Sequence, residues 1–219
     1  MTHPGHMGRR ADLLLRTSLI GLLIAVLAGM AIWFVGSRSA YSTGVGWVVE
    51  QPVPFSHQHH VAGLGIDCRF CHTSVTVAAT PGMPTTDTCM TCHSQIWTNA
   101  ALLAPVRASL ANGTPIRWNK LNDLPDYVYF NHAIHIAKGV GCSSCHGAVD
   151  RMPLMTKAQS FTMQFCISCH RNPGPQLRPQ DAIFDTEWHQ PADPQRAQQL
   201  VDLYHLGGRN LTDCSVCHR

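Results

Sequence analysis

FSHQHHVAGLGIDCRFCH at 55–72 and FNHAIHIAKGVGCSSCH at 130–146 are two copies of one arrangement: Phe-x-His-x-x-His, a glycine-containing spacer, then Cys-x-x-Cys-His. Three further C-x-x-C-H units follow the same rule, at Cys89/Cys92/His93, Cys166/Cys169/His170 and Cys214/Cys217/His218. Together with Cys68/Cys71/His72 and Cys142/Cys145/His146 they use all 10 cysteines of the chain. Two thiols three positions apart each form a thioether to one vinyl group of a porphyrin, and the adjacent imidazole swings under the ring to bind iron, so each unit is a signature of covalent haem c attachment. The competing reading is a set of zinc knuckles. Zinc sites pair C-x-x-C units without requiring a histidine after each one, so five intact pentapeptides with no cysteine left over argue against it. The same arithmetic leaves no thiol for disulfides or iron–sulfur clusters.

Composition narrows the class further. Charged residues make up only 13% of the 219, while 14 histidines are present. Five of them belong to the cysteine motifs, and much of the remainder clusters upstream of two of those motifs, which places them for iron rather than as scattered surface groups. A formal net charge of +3 is too small to indicate nucleic acid, and no run interleaves Lys/Arg with aromatics.

TSLIGLLIAVLAGMAIWFV at 17–35 carries no charge over 19 residues. That is about what a helix rising ~1.5 Å per residue needs to cross a ~30 Å hydrocarbon core. Arg9, Arg10 and Arg16 precede it, so the positive-inside rule puts the N-terminus in the cytoplasm and the rest beyond the bacterial inner membrane. A cleaved signal usually has a shorter apolar core of about 7–15 residues, which favours an uncleaved anchor. Trp33 reads as an interfacial anchor. The expected organisation is a cytoplasmic N-terminus at 1–12, a transmembrane helix at 13–36, a tether at 37–50 and a periplasmic pentahaem domain at 51–219. That domain divides into two double-haem repeats, 52–97 and 127–173, and a terminal haem segment, 174–219. Pro105, Asn112-Gly113 and Pro115 make 98–124 read as an irregular connector, and a short helix is expected over 196–205. The predicted fold is mostly irregular and short-helical, with porphyrins filling the core behind a single N-terminal transmembrane α-helix. No period-2 run suggests a sheet, and short helical turns should carry the attachment motifs.

The second axial ligand decides the chemistry at each iron. An open iron face binds and transforms small molecules, whereas two strong axial ligands restrict a haem to passing electrons. The proximal ligands are His72, His93, His146, His170 and His218. His57 and His60, three apart, reach two different irons from one helical turn, and His132 and His135 repeat the arrangement. Those four are the expected distal ligands. The fifth is open among Met152, then His205, then His189, with His59, Met155 and Met163 as further candidates; a thioether would raise that haem's potential. His3 and His6 lie on the wrong side of the anchor to bind haem.

With VYFNHAIHIAKGVGCSSCHGAVDRMPL at 128–154, FTMQFCISCHRNP at 161–173 and LTDCSVCHR at 211–219, the chain closely resembles the pentahaem cytochrome c subunit of bacterial alternative complex III. The similarity covers roughly residues 50–219. It implies a subunit of a membrane quinol:electron-acceptor oxidoreductase. The implied partners are an iron–sulfur periplasmic subunit related to molybdopterin enzymes, multi-helix quinol-binding membrane subunits and a monohaem cytochrome c. The chain is then an electron-transfer subunit with no catalytic residues of its own, since one helix cannot wall a quinone pocket. Two alternatives have other signatures: a self-sufficient membrane quinol dehydrogenase, which wants a haem close to the anchor, and a multihaem oxyanion reductase, which wants an altered motif ending in Lys.

Overall fold

The computed structural model describes residues 8–189, 191 and 193–218. His3 and His6 lie outside them. The chain divides into two units, one ending at Gly44 and one beginning at Val45.

The first unit is dominated by α1, Arg9–Gly36, a 28-residue helix with no buried residue. By length and composition it is able to cross a membrane. It begins four residues before the expected span because Asp12 and Arg16 pair across one turn at 3.0 Å, carrying the helix through the charged flank. The next residues, read from sequence as a plain tether, include one more turn, α2 (Ala40–Thr43), which ends on Gly44 at φ 69°.

The second unit is mostly short helices joined by turns. In chain order these are a π-helix at Gln58–Gly63, α3 (Cys68–Cys71), α4 (Thr86–His93), α5 (Ala104–Asn112), α6 (His132–Ala137), α7 (Cys142–His146), α8 (Met163–Arg171), α9 (Pro194–Leu203) and α10 (Cys214–Cys217). Among the described residues there is no sheet, and the extended pairings are the isolated bridges Val48–Thr156, Val128–His218 and Val140–Leu177.

All five attachment motifs lie on helices, and the residue before the first cysteine explains how two of them start. Asp67 and Asp213 each accept a hydrogen bond from the backbone N–H two residues on, at 2.8 and 2.9 Å, capping α3 and α10. Thr162 caps α8 in the same manner.

The segment 98–124 departs from the expected irregular connector, because α5 runs through it. Pro105 sits in the first helical turn, where its missing N–H costs nothing, and Gly113 takes the left-handed conformation at φ 62° that closes a helix C-terminus. The residues read as breakers are the start and stop signals of one helix. Likewise α9 begins at Pro194 behind an Asp193 cap, two residues before the expected start.

Two small apolar clusters hold the second unit, Val75/Ile136/Ile183 and Leu177/Leu200/Tyr204. Among the described residues the buried apolar side chains add little beyond these: Val53, Val106 and Ala182. A polypeptide of this length ordinarily encloses a larger contiguous core.

Candidate functional site

The Phe-x-His-x-x-His repeat has a geometric basis. Phe55 meets His57 edge-on at 4.9 Å and stacks on His60 at 4.3 Å between ring centroids. Phe130 does the same to His132 at 4.8 Å and to His135 at 4.4 Å. One phenyl ring therefore fixes two imidazoles, one across its edge and one along its face, and sends them to different places. In both copies the second histidine donates its Nδ1–H to the carbonyl four residues back, His60 to Ser56 and His135 to Asn131, each at 2.8 Å.

The copies differ in one respect. Seven residues, 61–67, separate His60 from Cys68, whereas six, 136–141, separate His135 from Cys142. The first copy absorbs its extra residue by winding as a π-helix over Gln58–Gly63, where the second forms α6.

Each of these histidines faces the histidine of an attachment motif. His60 lies 6.2 Å from His93, His132 lies 6.3 Å from His146 and His135 lies 6.1 Å from His170, centroid to centroid. His57 neighbours His72 closely enough that the two charges would repel. Two imidazoles binding one metal ion end-on from opposite sides, with metal–nitrogen bonds of about 2.0 Å and about 1.1 Å more to each ring centre, have centroids about 6.2 Å apart. The measured separations fit an ion seated between the rings.

The tautomers fit as well. Seven ring nitrogens face backbone carbonyls: besides His60 and His135, His72 Nδ1 donates to Gly82 at 2.8 Å, His93 to Ile96 at 3.2 Å, His132 to Ala79 at 2.8 Å, His170 to Leu211 at 2.7 Å and His218 to Tyr127 at 3.2 Å. A carbonyl only accepts, so each Nδ1 carries the proton and Nε2 keeps its lone pair free for a metal. His146 Nδ1 lies 3.2 Å from the Asn122 amide, whose buried Oδ1 is otherwise unpartnered. Turning that amide by half a revolution lets the oxygen accept the imidazole N–H and satisfies both groups.

Burial favours the neutral form of His57, His135 and His146. Desolvation, reinforced by neighbouring imidazoles, lowers the pKa of His57 and of His146 to about 4. Desolvation likewise lowers that of His135. A neutral imidazole is the form that ligates iron.

Motif thiols approach one another across motifs. The Cys68 and Cys142 thiols are electrostatically linked, which favours the Cys68 thiolate, down to about 7, and together with burial pushes the Cys142 thiol up. Cys71 neighbours Cys89, Cys145 neighbours Cys166 and Cys169, and Cys166 neighbours Cys217. The motifs thus follow one another in space in the order second, first, third, fourth, fifth. Among the described residues no three His, Cys, Asp or Glu side chains converge as the shell of a bare ion requires. The arrangement instead offers two imidazoles at each of four centres and a pair of thiols in each motif, which suits a porphyrin-bound iron.

Cys92 departs from this pattern. Like Cys214 it is exposed, whereas the remaining eight cysteines are partly covered by protein. Its sulfur accepts from the neighbouring Thr91 Oγ1 at 3.8 Å. Polypeptide therefore shelters the second motif on its Cys89 side, and a porphyrin bonded there would cover the Cys92 side.

The fifth centre differs. His218 stacks with Tyr127 at 5.8 Å, and Tyr127 also accepts its Nδ1–H through the backbone carbonyl. Of the candidates for its partner, Met152 sits half-buried against Gly147, its Sδ accepting from Thr156 Oγ1 at 3.6 Å. That position is beside the third motif. His189 is exposed, in a cleft it shares with Trp188, Ser143 and Gly147, and His205 is exposed beyond α9 with φ 53°. His59, the additional histidine of the first copy, stacks with Trp97 at 6.2 Å.

The sequence reading missed the supporting groups: Ala79, Gly82, Leu211 and Tyr127 through their carbonyls, and Asn122 through its amide. Backbone acceptors leave no mark in a sequence. The two phenylalanines were visible in the repeat, though their double contact was not.

No family model matches the chain. Over 133 residues it is 32% identical to the multihaem cytochrome c subunit of a menaquinone reductase from Nitratidesulfovibrio vulgaris. The match takes in 60% of this chain and 59% of that protein, so the chain spans about three-fifths of the length of the curated relative it matches.

Proposed function

We propose that this chain is a membrane-anchored pentahaem cytochrome c that relays electrons within a respiratory quinone complex. The observation that carries the reading is the set of imidazole pairs about 6.2 Å apart, each joining a motif histidine to a histidine of the F-x-H-x-x-H repeat. Haem c bonded at the ten cysteines supplies reversible one-electron chemistry when present. His72, His93, His146, His170 and His218 hold the proximal positions, and His57, His60, His132 and His135 the distal ones. The fifth distal position is open among Met152, His205 and His189, of which Met152 lies beside the third motif and the two histidines are exposed. With both axial positions taken at four sites, the chain's role is to hold its centres close and dry rather than to transform a substrate.

Cysteine contacts between successive sites support an unbranched relay whose ends are the second and fifth motifs. Arg9, Arg10 and Arg16 before α1 support a periplasmic location for the haem domain. Combined with the resemblance stated above, this makes the chain the pentahaem subunit of an alternative complex III. There it passes electrons from quinol oxidation, through an iron–sulfur partner, to a monohaem cytochrome c or other periplasmic acceptor. A second reading has its own support: the relative named above belongs to a menaquinone reductase, in which electrons run toward the quinone.

The test uses the full chain produced in a host that attaches haem c. Acid–organic extraction should leave the pigment on the polypeptide, and pyridine haemochrome and iron analysis should both give five per chain. Extractable pigment, or zinc in place of iron, overturns the proposal. Near-infrared magnetic circular dichroism should report at least four bis-histidine haems. In the purified complex, reduction of these haems by a quinol analogue favours the oxidase direction. Oxidation of pre-reduced haems by menaquinone alone favours the other.

A further inference from the structure

Arg178 lies beside the third attachment motif and takes no part in ligation. Only 5% of its surface is exposed. Its guanidinium donates to Ser143 Oγ, between the two cysteines of the motif, and to the carbonyls of Asp185 at 2.6 Å and Ala182 at 3.4 Å. It lies 5.1 Å from the centre of the Trp188 ring. The side chain passes so close to the residue before Cys142 that a Cβ on Gly141 would overlap Arg178 Nε. Arg178 and the Cys142 thiol interact electrostatically.

The backbone of Arg178 is clamped as firmly as its side chain. Its N–H donates to Gly139 at 2.7 Å, and its carbonyl accepts from the Tyr204 hydroxyl at 2.6 Å. Among the described residues no carboxylate oxygen lies within 4 Å of the guanidinium. The nearby Asp185 carboxylate accepts instead from the Glu187 backbone N–H. A guanidinium cannot shed its charge in a protein, so this is a buried cation satisfied by neutral acceptors and an aromatic face.

We propose that Arg178 is a positioning residue that sets the potential of the third haem, its fixed charge making that site more readily reduced than it would be without it. The inference rests on the haem assignment above. One electron arrives from a neighbouring haem, iron passes from the ferric to the ferrous state, and no bond or proton changes. The product carries one positive charge less, so a buried cation held at the Cys142 edge favours it, and poor screening there preserves the effect. The third motif is the middle member of the spatial order. A potential raised at that point lengthens an electron's stay there relative to the same site without the charge.

The test is a potentiometric titration of the full-length, detergent-solubilised holoprotein and of its Arg178→Gln and Arg178→Lys variants, each checked for five covalent haems. In Arg178→Gln one of the five one-electron components should move to lower potential by about tenfold in its equilibrium, about 59 mV. Arg178→Lys, which retains the charge, should restore most of the difference. Five unchanged components in Arg178→Gln, or equal shifts in both variants, overturn the inference while leaving the haem assignment standing. A wild-type chain without covalent haem overturns both. Should Arg178→Gln lose the third haem, Arg178→Lys measured against wild type decides: retention of five haems and of the wild-type potential supports the charge effect, and a shift like that of a neutral substitution overturns it.

Discussion

Cys68 and Cys142 belong to different attachment motifs, and their thiols lie close enough for each to shift the ionisation of the other. The contact brings together the first motif of one double unit and the first motif of the other. His72 and His146, the histidines of the same two motifs, are also electrostatic neighbours, and His57 senses His146. The first and third centres are therefore the junction between the repeats.

Centres in such contact should not behave as independent spins. Low-temperature electron paramagnetic resonance of the oxidised holoprotein is expected to show two of its haems with broadened, mutually coupled signals. Removing the third haem through Cys142→Ser with Cys145→Ser should return its neighbour to the signal of an isolated haem. Five sharp, independent signals in the wild type would exclude the contact.

Phe55→Ala and Phe130→Ala each remove a ring that touches two imidazoles. Truncating a fully buried phenylalanine costs about 3–5 kcal/mol; these are half-buried, so about 2 kcal/mol is expected from denaturant titration. Haem stays covalently attached, since the cysteines are untouched. Two haems per variant should nonetheless show a partial high-spin component, because two distal rings lose their support at once.

Acid should destabilise the domain in a defined window. In the haem-free chain His57 and His146 have pKa values of about 4 when folded, below the ordinary value near 6.5 that they regain on unfolding. Between those values the unfolded state binds more protons, so stability rises with pH from about 4 to about 6.5 and these two groups contribute no further slope above it. Chemical denaturation at a series of pH values checks this. A midpoint independent of pH across the window would contradict the burial of the two rings.

Gly139→Ala is expected to be far more damaging than its size suggests. Gly139 has φ +81°, and a Cβ there would overlap the Tyr204 ring and stand 2.8 Å from the Arg178 carbonyl. Backbone strain and overpacking together should cost about 3 kcal/mol. Asn131→Ala, which deletes the cap of α6 that accepts from Ile134 N–H at 3.3 Å, should cost about 1 kcal/mol. Thermal denaturation of the two variants side by side tests the ranking.

How much of this was readable in advance follows the range of the interactions involved. Thioether chemistry needs two thiols and an imidazole within five consecutive residues, so the attachment motifs stand out in any reading of the chain. The repeat around Phe55 and Phe130 was equally local. Which histidine faces which was not, because His60 meets His93 and His132 meets His146 only through folding, and the carbonyls of Ala79, Leu211 and Tyr127 that fix the tautomers have no side-chain signature. The exposure of Cys92 and Cys214 was equally hidden, since their motifs read the same as the three others and only packing sets them apart. Pro105 and Gly113 were seen but assigned to a connector, since the same residue types open and close helices. Gly139 and Gly141 were visible as a spacer, while the reason for them, the close passage of Tyr204 and Arg178, lies some forty to sixty residues further along the chain.

The closeness of Cys68 to Cys142 also bears on biogenesis. A thiol already packed against its counterpart from the other repeat is poorly placed to meet a vinyl group and the machinery that presents it. Attachment before the two halves dock would leave both thiols open to their vinyl groups, so the proximity of these two residues makes the timing of cofactor insertion relative to docking a consequential step in maturation.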